Sequence, residues 1–180
     1  MFVFYLTDTI ICCVANCIPL LIQQNINGSN FFNRPWEELK VGFNDSRGNY
    51  WLGNELLHQL TVKNPYKLRV DLQARNGSWY YAEYSTFVVS SEAQNNKLEV
   101  SGYSGNAGDA FSWHNNNMMF TTYDRDNDHF SYNCAVFNGG GFWYRSCSRA
   151  SVNAVRGRGF AWNANGRNIL LQSTRMWLMC

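Results

Sequence analysis

The chain has 180 residues, 46% of them hydrophobic and 16% aromatic, a content that excludes a disordered polymer and suffices for one domain core. Its formal net charge of +2 selects no class of partner. No Asp or Glu follows Asp128, whereas Arg145, Arg149, Arg156, Arg158, Arg167 and Arg175 do. Spread singly, these arginines argue against a nucleic-acid surface. They leave open scattered surface charge or a basic face for an anionic glycan or other acidic ligand.

The first 22 residues are apolar, with Asp8 their only charge. A signal peptide wants a basic leading region, which is missing. A membrane span wants an uninterrupted apolar run, which Asp8, Asn16 and Pro19 break. Residues 1–19 read as a weak signal peptide or a divergent start, and residues 20–180 as one domain without repeats or a linker. The six cysteines Cys12, Cys13, Cys17, Cys134, Cys147 and Cys180 form no CxxC pair and no zinc spacing with histidine. Sequons at Asn27, Asn44 and Asn76 fit a secreted, glycosylated surface.

Two short helices are expected next. Asn33 would cap the first, with Pro35, Glu37 and Glu38 in its opening turn and Trp36, Leu39 and Phe43 on one face. Asn54 would cap the second, which carries Leu56, Leu57 and Leu60. From Lys67 to Gln73, apolar Leu68, Val70 and Leu72 alternate with polar residues, the period of a half-buried strand. Asn76-Gly77 marks a turn, Trp79–Val89 the returning strand, and Leu98 and Val100 continue the alternation. After Ser101, regularity gives way to glycine, asparagine and aromatics.

Asp124, Asp126 and Asp128 alternate six residues before Cys134. Carboxylates so spaced can converge on a calcium ion, which takes six to eight oxygen ligands. A solvated acidic turn, partly neutralised by Arg125, is the alternative. An EF-hand is rejected: its glycine position holds His129, its glutamate position Ala135, and no helices flank the run. A disulfide between Cys134 and Cys147, thirteen apart around Gly139-Gly140-Gly141, would contribute roughly 3 kcal/mol. His58, His114 and His129 are isolated, no HExxH, GxSxG or P-loop occurs, and no Lys follows the spaced Gly102, Gly105 and Gly108. An enzyme is not expected.

Several ordered segments resemble the fibrinogen C-terminal domain family, which ficolins, tachylectins, angiopoietins, tenascins and fibrinogen chains share. They are Val41–Asn54, Tyr81–Ser85, Ser101–Asp109, Asp124–Asp128, Asn133-Cys134-Ala135, and Gly141–Tyr144 with Cys147. The resemblance implies an α+β fold: a central, mostly antiparallel sheet, short helices, and a loop-rich calcium- and ligand-binding subdomain over residues 123–180. It implies a calcium ion held by Asp126 and Asp128 with the carbonyls of Phe130 and Tyr132, and Cys134–Cys147 as a disulfide. Asp124 falls outside that set, accepting a water or pairing with Arg125.

The same resemblance implies a secreted recognition domain, lectin-like toward glycans or acetylated groups in innate defence. The alternative is a protein-binding module of a matrix, clotting or signalling protein. Phe137, Asn138, Tyr144, Ser148 and Trp162 are the pocket candidates. Ser148 stands where many lectin-like members carry histidine, and only eleven residues separate Cys147 from Gly159-Phe-Ala-Trp162, which shortens a pocket wall. Family members commonly form homo-oligomers through preceding segments; no coiled-coil heptads precede this domain.

Overall fold

The computed structural model describes residues 18–147, 149–155, 157 and 159–180. Residues 1–17, with Cys12, Cys13 and Cys17, and also Ser148, Arg156 and Arg158, lie outside the described residues.

The alternating segment forms strand β4 (Lys67–Ala74), with Leu68, Val70, Leu72 and Ala74 buried on one face. For naming, the strands before it are β1 (Leu20–Asn25), β2 (Phe43–Asn44) and β3 (Tyr50–Trp51). Strand β4 turns at Asn76-Gly77, where Gly77 adopts φ +86° and Ser78 N–H donates to Asn76 Oδ1. It returns as β5 (Trp79–Val89), which pairs on its far side with β6 (Leu98–Gly105).

The sheet is completed from the chain's far end. After β7 (Phe120–Thr121), β8 (Phe142–Trp143) and β9 (Ala161–Ala164) comes β10 (Arg167–Met179), thirteen residues long. It lies between β1 and β4, so the order across the sheet is β2-β3-β1-β10-β4-β5-β6, with β9 pairing the start of β10. All these pairings are antiparallel, which gives the α+β class with a mostly antiparallel sheet. Residues 123–180 therefore do not stay in one loop-rich unit, because their last stretch is the middle of the central sheet.

Two helices precede β4, α1 (Trp36–Val41) and α2 (Asn54–Thr61), with α2 packed on β5 and α1 on α2. Their caps differ from the sequence expectation. Pro35 precedes α1 without a side-chain cap, and the Trp36 N–H instead donates to Asp124 Oδ1, 88 positions along the chain, at 3.0 Å. Asn54 is the buried first residue of α2, and Gly53 at φ +104° precedes it. Helix α2 docks through Thr61, whose hydroxyl accepts the Val89 N–H at 3.0 Å, and through His58, whose Nδ1 lies 2.9 Å from the Val89 carbonyl. His58 is thus a structural residue.

The shared core is aromatic. Trp143 meets Phe120 edge-to-face at 5.1 Å and Trp51 at 6.1 Å, while Phe111 and Phe142 pack at 5.5 Å. The buried indole N–H groups find carbonyls: Trp51 on Leu39 at 2.9 Å, Trp143 on Asn96 at 2.8 Å. A polar seam crosses behind β1. A register shift next to Gln23 turns it inward, where its amide donates to the Val152 carbonyl, Asn153 Oδ1 and Thr174 Oγ1. That seam ties the irregular segment around residues 152–153 to the sheet.

Candidate functional site

The acidic run leaves β7 in a tight turn, where Thr122 N–H donates to the Arg125 carbonyl and Arg125 N–H to the Thr122 carbonyl. The first two residues of the run are used for anchoring. Asp124 Oδ1 takes the Trp36 N–H at the start of α1 and the Thr122 hydroxyl at 2.7 Å. Arg125 turns to the same helix. Its guanidinium lies 4.0 Å from the Trp36 ring centre, 3.5 Å from Glu92 and 2.7 Å from Asn95 Oδ1. Asp124 and Arg125 are therefore not partners of each other, and Arg125 does not neutralise the remaining aspartates.

Those two aspartates face one another. Asp126 Oδ1 accepts the Asp128 N–H at 3.3 Å. Asp128 is half-buried; one of its oxygens accepts the Phe130 N–H and the other the Cys134 N–H, both at 2.8 Å. Burial, and after it the charge of Asp126, raises the Asp128 carboxyl above the ordinary carboxylate range. Among the described residues neither side chain is ion-paired. No cluster of three or more His, Cys, Asp and Glu side chains occurs among them either. The local donors are two carboxylates and backbone carbonyls, hard oxygens of the kind calcium selects. A pair of uncompensated carboxylates, one of them desolvated, fits a divalent cation.

The end of the run is pinned. Asn133 caps helix α4 (Cys134–Asn138) by accepting the Val136 N–H at 3.0 Å, and its amide donates back to the Thr122 carbonyl at 2.9 Å. A disulfide joins Cys134 to Cys147, with Cα atoms 4.9 Å apart, and Cys180 is disulfide-bonded as well. The glycine run between them is not a flexible spacer. A Cβ on Gly140 would meet the Asn153 carbonyl at 2.2 Å, and one on Gly141 the Leu39 side chain at 2.5 Å.

The pocket candidates separate by burial. Phe137 is 52% exposed and packs on Tyr132, with ring centres 5.5 Å apart, and Tyr132 meets Phe130 at 4.6 Å. The three rings form an exposed aromatic cluster that follows Asp128 in the chain, and Val136, next to Phe137, is exposed as well. Asn138, Tyr144 and Trp162 lie in the interior. All three are buried, the Tyr144 hydroxyl donating to the Gly140 carbonyl at 2.7 Å and the Trp162 indole to the Gly108 carbonyl at 2.8 Å. Burial raises the Tyr144 phenol strongly. Ser148 lies outside the described residues. Of the sequons, Asn44 and Asn76 are exposed, and Asn27 is half-buried with its oxygen taken by the Ser29 N–H.

The family described as "Fibrinogen beta and gamma chains, C-terminal globular domain" matches residues 15–173. The chain belongs to the fibrinogen C-terminal domain family. Within it, the chain is 45% identical over 135 residues to human angiopoietin-4, covering 75% of this chain and 27% of that protein. It is 44% identical over 151 residues to the human fibrinogen alpha chain, covering 76% and 17% respectively. This fibrinogen-related chain thus spans under a third of the length of those two curated relatives. Among solved structures, the fibrinogen-like globe domain of human ANGPTL2 superposes with a TM-score of 0.81 at 38% identity, over 89% of this chain and 79% of that one. Lamprey fibrin D-dimer, complexed with the peptide Gly-His-Arg-Pro-amide, gives 0.79 at 29% identity, over 88% and 60%.

Proposed function

We propose that this fibrinogen-related domain is a calcium-braced, secreted protein-binding module and not a catalyst or an acetyl-group lectin. The observation that carries the reading is the exposed cluster of Phe130, Tyr132 and Phe137, with exposed Val136, that follows the Asp126–Asp128 pair in the chain. Exposed, contiguous aromatic side chains rimmed by charge are the usual composition of a protein-binding patch. The relatives support the direction, since they are angiopoietins and fibrinogen chains and one solved neighbour holds a peptide. The lectin reading loses ground because three of its five pocket candidates are core residues. Among the described residues no helix is long and apolar enough to cross a membrane.

In this reading the carboxylates of Asp126 and Asp128 and the carbonyls of Phe130 and Tyr132 hold the ion. Calcium supplies positive charge that neutralises the acid pair. The chain does the rest: Asp128 holds the Phe130 and Cys134 amides, and the Phe130 and Tyr132 rings thereby project toward Phe137. An extracellular module of this kind binds calcium with a dissociation constant on the order of 0.1–1 mM.

The test is capture of partners from plasma or conditioned medium by the immobilised protein, with calcium and with EDTA. A specific protein retained in calcium and lost with Tyr132→Ser plus Phe137→Ser supports the proposal. Retention unaffected by both changes refutes the assigned patch. Calcium-sensitive binding on a glycan array, with no protein captured, returns the lectin reading.

A further inference from the structure

A second surface is built around the residues that flank Cys147. Helix α3 (Ser112–Asn115) places Trp113 and His114 opposite the segment that follows β8, where Arg145 and Arg149 stand. With Ser146 and Asn163 they line an open cleft of about 730 Å³. A groove of about 450 Å³ sharing Trp113, Arg149 and Asn163 continues from it toward Asp109.

Three observations give the cleft its chemistry. Arg145 and Arg149 are exposed and, among the described residues, make no ion pair. The Arg149 guanidinium lies 4.9 Å from the Trp113 ring centre, and that indole, 65% exposed, also stacks beside the His114 ring at 6.0 Å. Trp113 therefore supports a planar cation and is poorly placed as a free platform for a sugar ring. His114 is buried, and its Nε2 is a buried polar atom with no hydrogen-bond partner among the described residues. Desolvation first, then the charges of Arg149 and Arg145, lowers its pKa.

The one acidic group on the adjoining groove is already used. Asp109 accepts the Ser112 N–H at 3.0 Å, the Ser112 hydroxyl, and the Tyr84 hydroxyl at 3.1 Å. No acidic residue follows Asp128 in the chain to offset the arginines. Forked guanidinium groups held beside a cleft match carboxylates in planar, paired hydrogen bonds.

We infer that this cleft is a second recognition site, taking carboxylates of an acidic peptide segment on Arg145 and on the Trp113-supported Arg149. The inference rests on the protein-binding reading, and makes the ligand of this surface an acidic stretch of the partner. It is lined by different residues from the Phe130–Tyr132–Phe137 cluster. The two are linked by the Cys134–Cys147 disulfide and where His129 N–H in the aspartate loop donates to the Arg145 carbonyl at 2.9 Å.

The test uses the whole protein in calcium and three labelled probes followed by fluorescence anisotropy: a short peptide of alternating Glu and Gly, its Lys counterpart, and a heparin-derived oligosaccharide. The Glu peptide binds and the Lys peptide does not. Arg145→Glu with Arg149→Glu weakens Glu-peptide binding by roughly tenfold or more. Arg47→Glu with Arg75→Glu, exposed arginines elsewhere, leaves it unchanged. Circular dichroism confirms that both doubles are folded. The inference is overturned by no Glu-peptide binding, by equal loss in both double variants, or by the oligosaccharide alone binding at the cleft. Partner capture from plasma separates the two readings. Capture that survives Arg145→Glu with Arg149→Glu sinks the cleft and spares the module, whereas peptide binding without any captured protein spares the cleft and sinks the module.

Discussion

Replacing Asp124 by Ala separates anchoring from metal binding within one acidic run. The side chain ends α1 from across the fold, accepting the Trp36 N–H and the Thr122 hydroxyl. Loss of a helix cap costs about 1 kcal/mol, loss of its charge at the positive helix end about 0.3–1 kcal/mol, and loss of the bond from the buried Thr122 hydroxyl about 0.5 kcal/mol. The sum is about 2 kcal/mol, or about 4–8 °C in Tm for a chain of this size. Asp124→Asn keeps an acceptor and loses only the charge, so it falls by about 1 kcal/mol or less. Thermal unfolding in EDTA measures both. Repeating the scans in calcium then asks whether the metal still stabilises. Asp124→Ala retains the full calcium-dependent gain, whereas Asp126→Ala with Asp128→Ala loses it. An Asp124→Ala protein that melts like the parent in EDTA, or that no longer responds to calcium, refutes the division of roles.

Other expectations follow from single contacts. Gly42→Ala should cost about 3 kcal/mol or more, because its Cβ would meet the Leu52 carbonyl oxygen at 2.4 Å; Gly77→Ala, equally left-handed but with nothing within 4 Å, should cost only about 1–2 kcal/mol in the same urea titration. Cys134→Ser with Cys147→Ser should lower stability by roughly 3 kcal/mol, read from the denaturation midpoint. His114 has a folded-state pKa below its unfolded value, pushed down by burial, Arg149 and Arg145 against a backbone hydrogen bond with Ser146. Its contribution to stability is therefore present above about pH 6.5 and lost as pH falls through the depressed pKa. His114→Gln should remove that component, so its Tm drops less than the parent's between neutral pH and about pH 5.

Much of the sheet was legible because β4 keeps strict alternation and Asn76-Gly77 is a strong turn signal. The longest strand was not. In β10 the buried positions run Ile169, Leu171, then Thr174, Met176, Leu178, and the register slip between Leu171 and Ser173 switches the alternation from odd to even. Exposed Leu170 and half-buried Trp177 blur the pattern further. The cap of α1 was invisible locally, since its acceptor arrives from 88 residues away and Asn33 offered a plausible substitute. Tyr144 and Trp162 became pocket candidates through the family resemblance, and large aromatic rings are also what fills a core. Trp113 and His114 carried no spacing signal, because their partners Arg145 and Arg149 meet them only through the fold.

The position of β10 has a consequence for how the polypeptide is made. A growing chain emerges from the ribosome in order, and β1 to β6 appear well before residue 167. Until then β1 and β4, whose inner face is apolar, have a gap between them where β10 belongs. Only local hairpins such as β4–β5 can close during synthesis, and the pairing of Leu20 with Leu178 must wait for nearly the whole domain. Nascent chains of this domain thus carry open strand edges that a chaperone can hold, and any product stopping short of residue 167 lacks the central strand of its sheet.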